Sequence, residues 1–344
     1  MGEPIEPPRR PGFREPIAEQ ATGEQSNRRE DAIVENFPQR PTRRTLLAAG
    51  AGAALATALS AAGPAAAAAP GPRAGGDDDD VTRALGGLER EHGARLGVFA
   101  RNTATGRTVL YRADELFPIC SVHKTVTAAA VLRDLDRDGG FLAERIRYTA
   151  QDVADSGYSP ITGTPEHLAN GMTVAELCAA ALDYSDNTAD NLLLRQLGGP
   201  EAITRFCRSI GDRTTRLDRW EPALNSAEPG RVTDTTSPRA LGRTFSKLLL
   251  GTALSAPDRE QLTSWLLADT TSAARFRAGL PKDWALADKT GTGDYGTTND
   301  AGIAWTPRRT PLVLSVLSTK TDSAAPADEP LVAKTAALLA TALV

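Results

Sequence analysis

The amino-acid sequence predicts an α+β fold, in which a five-stranded antiparallel sheet is formed by both chain ends and an all-helical lobe is inserted between its halves. Three observations predict it. Two strand-like runs separated by a turn occur early, at 95–101 and 107–112. Three more β-rich apolar runs occur late, at 284–290, 300–305 and 312–318. The chain between them has helical spacing or loop composition, so early and late strands bury their faces by meeting in one sheet.

The 344-residue chain opens on residues 1–40, rich in Pro, Glu and Arg, with few apolar residues and no period. Such a segment cannot bury enough surface to order itself and reads as a disordered extension. Thr42-Arg43-Arg44-Thr45-Leu46-Leu47 then leads into an uncharged Ala/Gly/Leu run ending at Ala69. Paired arginines before a mildly apolar stretch that ends in small residues match a twin-arginine export signal, here 41–69. Cleavage is expected near Ala67-Ala68-Ala69. A membrane anchor is the competing reading, but the run is weakly apolar and Gly63-Pro64 interrupts it. The expected product is secreted and free of the membrane once the signal is removed, and no cysteine precedes Cys120 to carry a lipid. Residues 70–80 read as a Pro/Gly/Asp linker, which leaves 81–344 as one large domain of two lobes.

Within that domain Val81, Leu85 and Leu88 have helical spacing up to Glu91. The two early strands flank Asn102-Thr103-Ala104-Thr105-Gly106, a hairpin turn. Phe117-Pro118-Ile119 leads into a helix through Thr125–Leu132 to about Asp134. Further helices are expected at 173–181, 188–197 and 200–210. A helical region beginning at Asp234-Thr235-Thr236-Ser237-Pro238 continues to Leu267, and a last helix covers Leu331–Leu343.

Composition narrows the function. The chain is 41% hydrophobic and 24% charged with a formal net charge of −4, an ordinary globular balance. There is no basic block with interleaved aromatics, so nucleic acid is not an expected partner. His92, His123 and His167 are scattered without ligand spacing, and no metal is expected. His123 lies two residues from Ser121, on a different helix face, and reads as a packed or partly exposed helical residue rather than a catalytic base. Cys120, Cys178 and Cys207 lack framework spacing. Cys178 looks like a buried thiol, and the sequence leaves a Cys178–Cys207 bridge open.

The chemistry gathers at three short motifs. Cys120-Ser121-Val122-His123-Lys124 puts a hydroxyl and an amine one helical turn apart, near a helix N-terminus that favours developing negative charge. A serine hydroxyl becomes a useful nucleophile when a neighbour takes its proton. Alone the pair is weak, although lysine is scarce here, six of 39 basic residues. Ser185-Asp186-Asn187 lies between two helices, and Lys289-Thr290-Gly291-Thr292-Gly293 closes an apolar strand, with glycines that let a ligand approach the backbone.

Ser-x-x-Lys, Ser-Asp-Asn and Lys-Thr-Gly in that order resemble the serine penicillin-recognising enzymes. Arg219-Trp220-Glu221-Pro222-Ala223-Leu224-Asn225 is similar to the Glu-x-x-Leu-Asn loop of class A β-lactamases, and Asp234 matches the aspartate that pairs with the loop arginine, Arg219, closing an Ω-loop. Gly157-Tyr158-Ser159-Pro160 resembles the aromatic at the site entrance. The resemblance covers about 81–344 and implies a serine β-lactamase without a cofactor, a monomer whose partners are β-lactam small molecules. A D-Ala-D-Ala carboxypeptidase or a slow penicillin-binding receptor on the same fold is the alternative. It implies Ser121 as nucleophile, with an oxyanion hole from its own N–H and that of Thr292. Ser185 would relay a proton to the ring nitrogen, and Glu221 with Asn225 would hold the deacylating water. Lys124 is the amine beside the nucleophile, and whether it or Glu221 is the base for acylation stays open. Asn187 and Tyr158 would contact substrate, while Lys289, Thr290 and Thr292 would receive its carboxylate. The strand after Lys-Thr-Gly carries no basic residue, so the carboxylate-binding arginine is expected from the preceding loop, as Arg275, with Arg277 structural. The resemblance also implies a cis Glu221–Pro222 bond. Many carbapenem-active relatives bridge the cysteine before the nucleophile to one just beyond Lys-Thr-Gly. Gly293 stands there, so a penicillinase with some cephalosporin activity and weak carbapenem hydrolysis is expected.

Overall fold

A computed structural model describes residues 75–344; the stretches read as the extension and the export signal, and residues 70–74 of the stretch read as linker, lie outside the described residues. The order begins with helix α1 (Gly75–Glu91), strands β1 (Arg95–Asn102) and β2 (Thr108–Tyr111), and a short turn into α2 (Lys124–Ala130). Helices α3 (Val174–Asp183), α4 (Asn187–Leu197), α5 (Glu201–Ser209), α6 (Pro238–Leu249) and α7 (Ala256–Leu267) follow. The chain ends with β3 (Ala285–Gly293), β4 (Thr297–Trp305), β5 (Pro311–Thr319) and α8 (Glu329–Leu343). Helix α1 starts inside the stretch read as linker, six residues before Val81.

The five strands pair antiparallel in the order β2-β1-β5-β4-β3, so the late strand β5 lies against the early strand β1 as the sequence requires. Side chains alternate across the sheet. Leu96, Val98 and Ala100 of β1 join Leu312, Leu314 and Val316 of β5 in a core covered by α1 and α8. Phe99, Val313 and Leu317 point the other way, into the larger core shared with the helical lobe. Each fully buried Leu or Val contributes roughly 1.5–3 kcal/mol.

Two glycines let α6 close on that second face. A Cβ at Gly97 would lie 2.5 Å from the Phe117 ring, and one at Gly242 would lie 2.4 Å from the Phe99 ring. The region expected to be helical from Asp234 is not helical at its start. Thr235–Thr236 pairs with Phe117–Pro118 as a two-residue ladder, and α6 begins at Pro238 behind the N-cap Ser237. Capping explains the lobe's other boundaries. Thr173 with Glu176 forms a capping box on α3, and Asp186 caps α4 by accepting from the Ala189 N–H at 2.9 Å. Among the described residues no helix is long and apolar enough to cross a membrane. Cys178 and Cys207 are free, buried thiols, so the bridge left open by the sequence is not made.

Candidate active site

The nucleophile turn is pinned from both sides. Ahead of it, Phe117 and Pro118 pair with Thr236 and Thr235, and the Ile119 N–H donates to the Asp234 carbonyl at 2.9 Å. Cys120 then takes φ = +47°, a region costly for a residue with a Cβ. Ser121 follows in a 3₁₀ turn, Cys120–His123, rather than in the first turn of a regular α-helix. On the other side, a Cβ at Gly291 would lie 2.9 Å from Val122 and 3.2 Å from the Ile119 carbonyl oxygen. Glycine is what lets β3 approach the turn and bring the Thr292 backbone alongside Ser121.

Lys124 is wholly buried, and its amine faces three close acceptors. Nζ donates to the Ser185 carbonyl at 2.9 Å and to Asn187 Oδ1 at 2.6 Å, and pairs with Glu221 Oε1 at 3.1 Å. Ser185 Oγ lies 3.5 Å away. The Ser121 hydroxyl donates to the same Glu221 Oε1 at 3.4 Å, while Asn225 Nδ2 donates to Oε2. Burying this ion pair costs desolvation, and the polar partners on every side offset it.

Glu221 is held by its main chain as well as its carboxylate. The Glu221–Pro222 bond is cis, as the resemblance implied. Asn191 Oδ1 accepts from the Glu221 N–H and Asn191 Nδ2 donates to its carbonyl, both at 3.0 Å. Sequence reasoning missed Asn191. It stands one helical turn after Asn187 on the buried part of α4, where Thr188 and Asp190 are polar as well, so its position alone does not mark it. Asp186 was quoted only as part of its motif. Besides capping α4, its Oδ2 accepts from the Ile161 and Thr162 N–H groups at 3.0 and 2.9 Å. That latches the Tyr158 loop to the Ser185 loop, and the Asn187 N–H bonds the Tyr158 carbonyl at 2.8 Å.

The Ω-loop closes as expected. Arg219 Nε donates to Asp234 Oδ2 at 2.7 Å, and Asp234 Oδ1 accepts from the Asp218 and Arg219 N–H groups at 2.7 and 3.0 Å. Asp218 returns a bond from the Asp234 N–H at 2.8 Å. Arg231 spans the loop to Leu224 and Ser226, a clasp that the sequence reading did not identify.

The strand side carries the cations. Arg275 is only 4% exposed. Its Nη1 donates to the Gly291 and Asn299 carbonyls, both at 2.9 Å, and its Nη2 to Thr292 Oγ1 at 2.6 Å, so it lies beneath Thr292 rather than on the surface. Arg277 turns away to the Leu267 and Leu286 carbonyls, as a structural residue would. Lys289 is fully buried, its amine donating to the Thr290 carbonyl at 3.2 Å. Burial lowers its pKa to about 8, Asp269 opposing and Lys124 and Arg275 adding to the fall. Thr290 Oγ1 bonds Thr271 Oγ1, a partner with no motif to announce it. Behind this row burial pushes Asp288 up to about 7, with Asp269 adding to the rise, and raises Asp300 well above the carboxylate range.

These groups surround a cavity of about 320 Å³, lined by Ser121, Tyr158, Ser185, Asn187, Asn225, Thr271, Arg275, Thr290, Gly291 and Thr292. Of the sequence-predicted residues, Lys124, Glu221 and Lys289 lie beneath its floor. A larger cleft of about 700 Å³, near Arg95, Pro118 and Val232, holds none of the predicted site residues. His123 is wholly buried, not partly exposed. Donor atoms of His123, Asp190 and Glu221 come within 4.8 Å of one another. Each is already engaged, His123 by a carbonyl and by Asp190, Glu221 by Lys124, so a cation there would have to break these bonds.

Comparison with known proteins agrees with this geometry. A family model described as "Beta-lactamase enzyme family" matches residues 80–343. A β-lactamase of Streptomyces lavendulae is 66% identical over 304 residues, 88% of this chain and 98% of that protein. A carbapenem-hydrolyzing β-lactamase, KPC, of Klebsiella oxytoca is 51% identical over 237 residues, 69% of this chain and 80% of that protein. The solved β-lactamase from Streptomyces albus G superposes with a TM-score of 0.77 at 64% identity, covering 77% of this chain and all of that one. With the motifs, the sheet order and these relatives in agreement, the chain belongs to the class A serine β-lactamases.

Proposed function

We propose that this β-lactamase opens penicillins and some cephalosporins through a Ser121 acyl-enzyme, which a water held by Glu221 and Asn225 then hydrolyses. The observation that carries the reading is the single Glu221 oxygen that takes both the Ser121 hydroxyl and the Lys124 amine. The three acceptors within 3.1 Å of the amine match the three donors of an ammonium, so in this reading Lys124 serves as a fixed cation. Glu221, acting through a water, is then the base for acylation as well as for deacylation. Ser185 carries the proton to the leaving nitrogen. Lys289, Thr290, Thr292 and Arg275 receive the carboxylate, with Asn187 and Tyr158 contacting the rest of the substrate. Glu221→Ala should be acylated by benzylpenicillin more slowly and deacylated more slowly still, so mass spectrometry after saturating exposure should show the adduct persisting. Rapid return to unmodified protein would refute the role. Repeated turnover of nitrocefin separates this enzyme from a slow receptor, which would give one stoichiometric burst.

Substrate range follows from Gly293. A Cβ there would lie 2.8 Å from Cys120 Sγ, so the two positions are neighbours, but this chain has only one of the two thiols. Weak imipenem turnover is therefore expected, and efficient turnover would overturn it, the 51% identity to a carbapenem-hydrolyzing relative notwithstanding. We also propose a secreted, monomeric product exported through the Arg43-Arg44 signal. Replacing both arginines by lysine should leave the enzyme inside the cell.

A further inference from the structure

We propose that His123 and Asp190 form a buried imidazolium–carboxylate pair that positions the nucleophile turn and balances the charge beside Lys124 and Glu221. His123 Nδ1 is 2.8 Å from the Cys120 carbonyl oxygen, and its Nε2 is 2.8 Å from Asp190 Oδ2. A carbonyl oxygen has no proton to give, so Nδ1 must donate. A neutral ring would then turn the lone pair of Nε2 against a carboxylate, and both side chains are fully shielded from water. A second ring proton resolves the conflict. Burial alone would discourage charge on His123, but the Asp190 carboxylate outweighs it and the ring's pKa is raised. Burial would likewise raise Asp190, yet His123 and then Lys124 hold it below its usual value.

The pair acts through the backbone. The carbonyl it holds belongs to Cys120, the residue at φ = +47° immediately before Ser121, so the bond fixes a conformation that the chain would otherwise relax. It also acts through charge. The groups facing it are Lys124 and Thr127 from α2, Glu221 from the Ω-loop and the Cys178 thiol from α3. His123, Asp190, Lys124 and Glu221 are charged in alternation and sum to zero. Removing the imidazolium alone would leave one uncompensated negative charge against Glu221.

The inference rests on the Ser121–Glu221 reading for its kinetic consequences only, so ring protonation is measured separately. In protein labelled with ¹⁵N-histidine, with His123→Phe identifying the signal, both ring nitrogens of His123 should carry protons at pH 7. A ring nitrogen with a free lone pair at pH 7 would overturn the proposal. Asp190→Asn should leave acylation within about threefold and the ring singly protonated. His123→Phe should slow acylation by about tenfold and move the acid limb of deacylation up by about one pH unit. Adding Asp190→Asn to it should return the limb but not the acylation rate, whereas a merely structural histidine would leave the limb in place throughout. If His123→Phe does not fold, the wild-type spectrum, with signals assigned through Asp190→Asn, decides. Failure of the Ser121–Glu221 reading would show instead as rapid return of the Glu221→Ala adduct to unmodified protein, with the ring spectrum unchanged.

Discussion

The two walls of the cavity use charge in different ways. On the helical wall opposite charges touch: Lys124 meets Glu221 at 3.1 Å, His123 meets Asp190 at 2.8 Å, and Arg219 meets Asp234 at 2.7 Å. On the strand wall they do not. Arg277 stays 3.7 Å from Asp288 and Arg275 3.6 Å from Glu329, while Lys289 bonds only a carbonyl. Both oxygens of Asp288 lack a hydrogen-bond partner among the described residues. The first arrangement fixes atoms, which a proton-transfer step needs to within fractions of an ångström. The second keeps Arg275 and Lys289 out of close contact with any carboxylate, which suits an anion that arrives with the substrate. Damage to the helical wall should therefore appear in rate constants, and damage to the strand wall in binding and its pH dependence.

The largest effect expected on this contrast is at Asp234. Asp234→Asn keeps the shape but gives up the charge and replaces one acceptor oxygen with an NH2 donor, which must face either the Arg219 side chain or the Asp218 and Arg219 N–H groups. The Ω-loop should loosen, with deacylation slowed by about 10- to 100-fold and about 1–3 kcal/mol of stability lost. Pre-steady-state acylation and deacylation rates, with a denaturant melt, measure both. Unchanged turnover would show that contact pairing on this wall is not needed for catalysis.

The two walls were also unequally legible in the sequence. The sheet and its closure by both chain ends could be read because strand patterns are local, and the three motifs marked Ser121, Lys124, Ser185, Asn187 and Lys289 directly. Arg275 needed the resemblance, because nothing local separates a buried arginine from a solvated one. Asn191, Asp218, Arg231 and Thr271 went unread. Each acts across a fold-dependent distance, Asn191 on Glu221 thirty residues away and Thr271 on Thr290 nineteen away, where spacing carries no signal. His123 was read as a packed or partly exposed helical residue because its partner, Asp190, lies 67 residues on.

A smaller effect separates the two arginines of the strand wall. Arg275→Ala should raise the Michaelis constant for penicillins by about tenfold with little change in kcat, since it removes field and donors but no proton path. Arg277→Ala should do the reverse, costing about 1 kcal/mol through the lost carbonyl bonds and leaving KM in place. Unchanged kinetics on benzylpenicillin in Arg275→Ala would leave Lys289 and the threonines to hold the carboxylate alone.

The smallest effect is the one most particular to a field. Lys289, lowered by burial to about 8, carries its charge below that pH and loses it above. Attraction for the substrate carboxylate should weaken with it, so kcat/KM for penicillins should fall several-fold between pH 8 and 9.5. In the complex the bound carboxylate holds the proton on the amine, so kcat should stay flat over the same range. Unfolding is not the cause of such a fall. The folded state releases this proton before the unfolded chain does, so the group's contribution to stability rises as pH climbs from about 8 towards 10.5. A melting temperature that holds while kcat/KM drops would place the loss in recognition. A flat kcat/KM to pH 9.5 would mean that Arg275 supplies the field by itself.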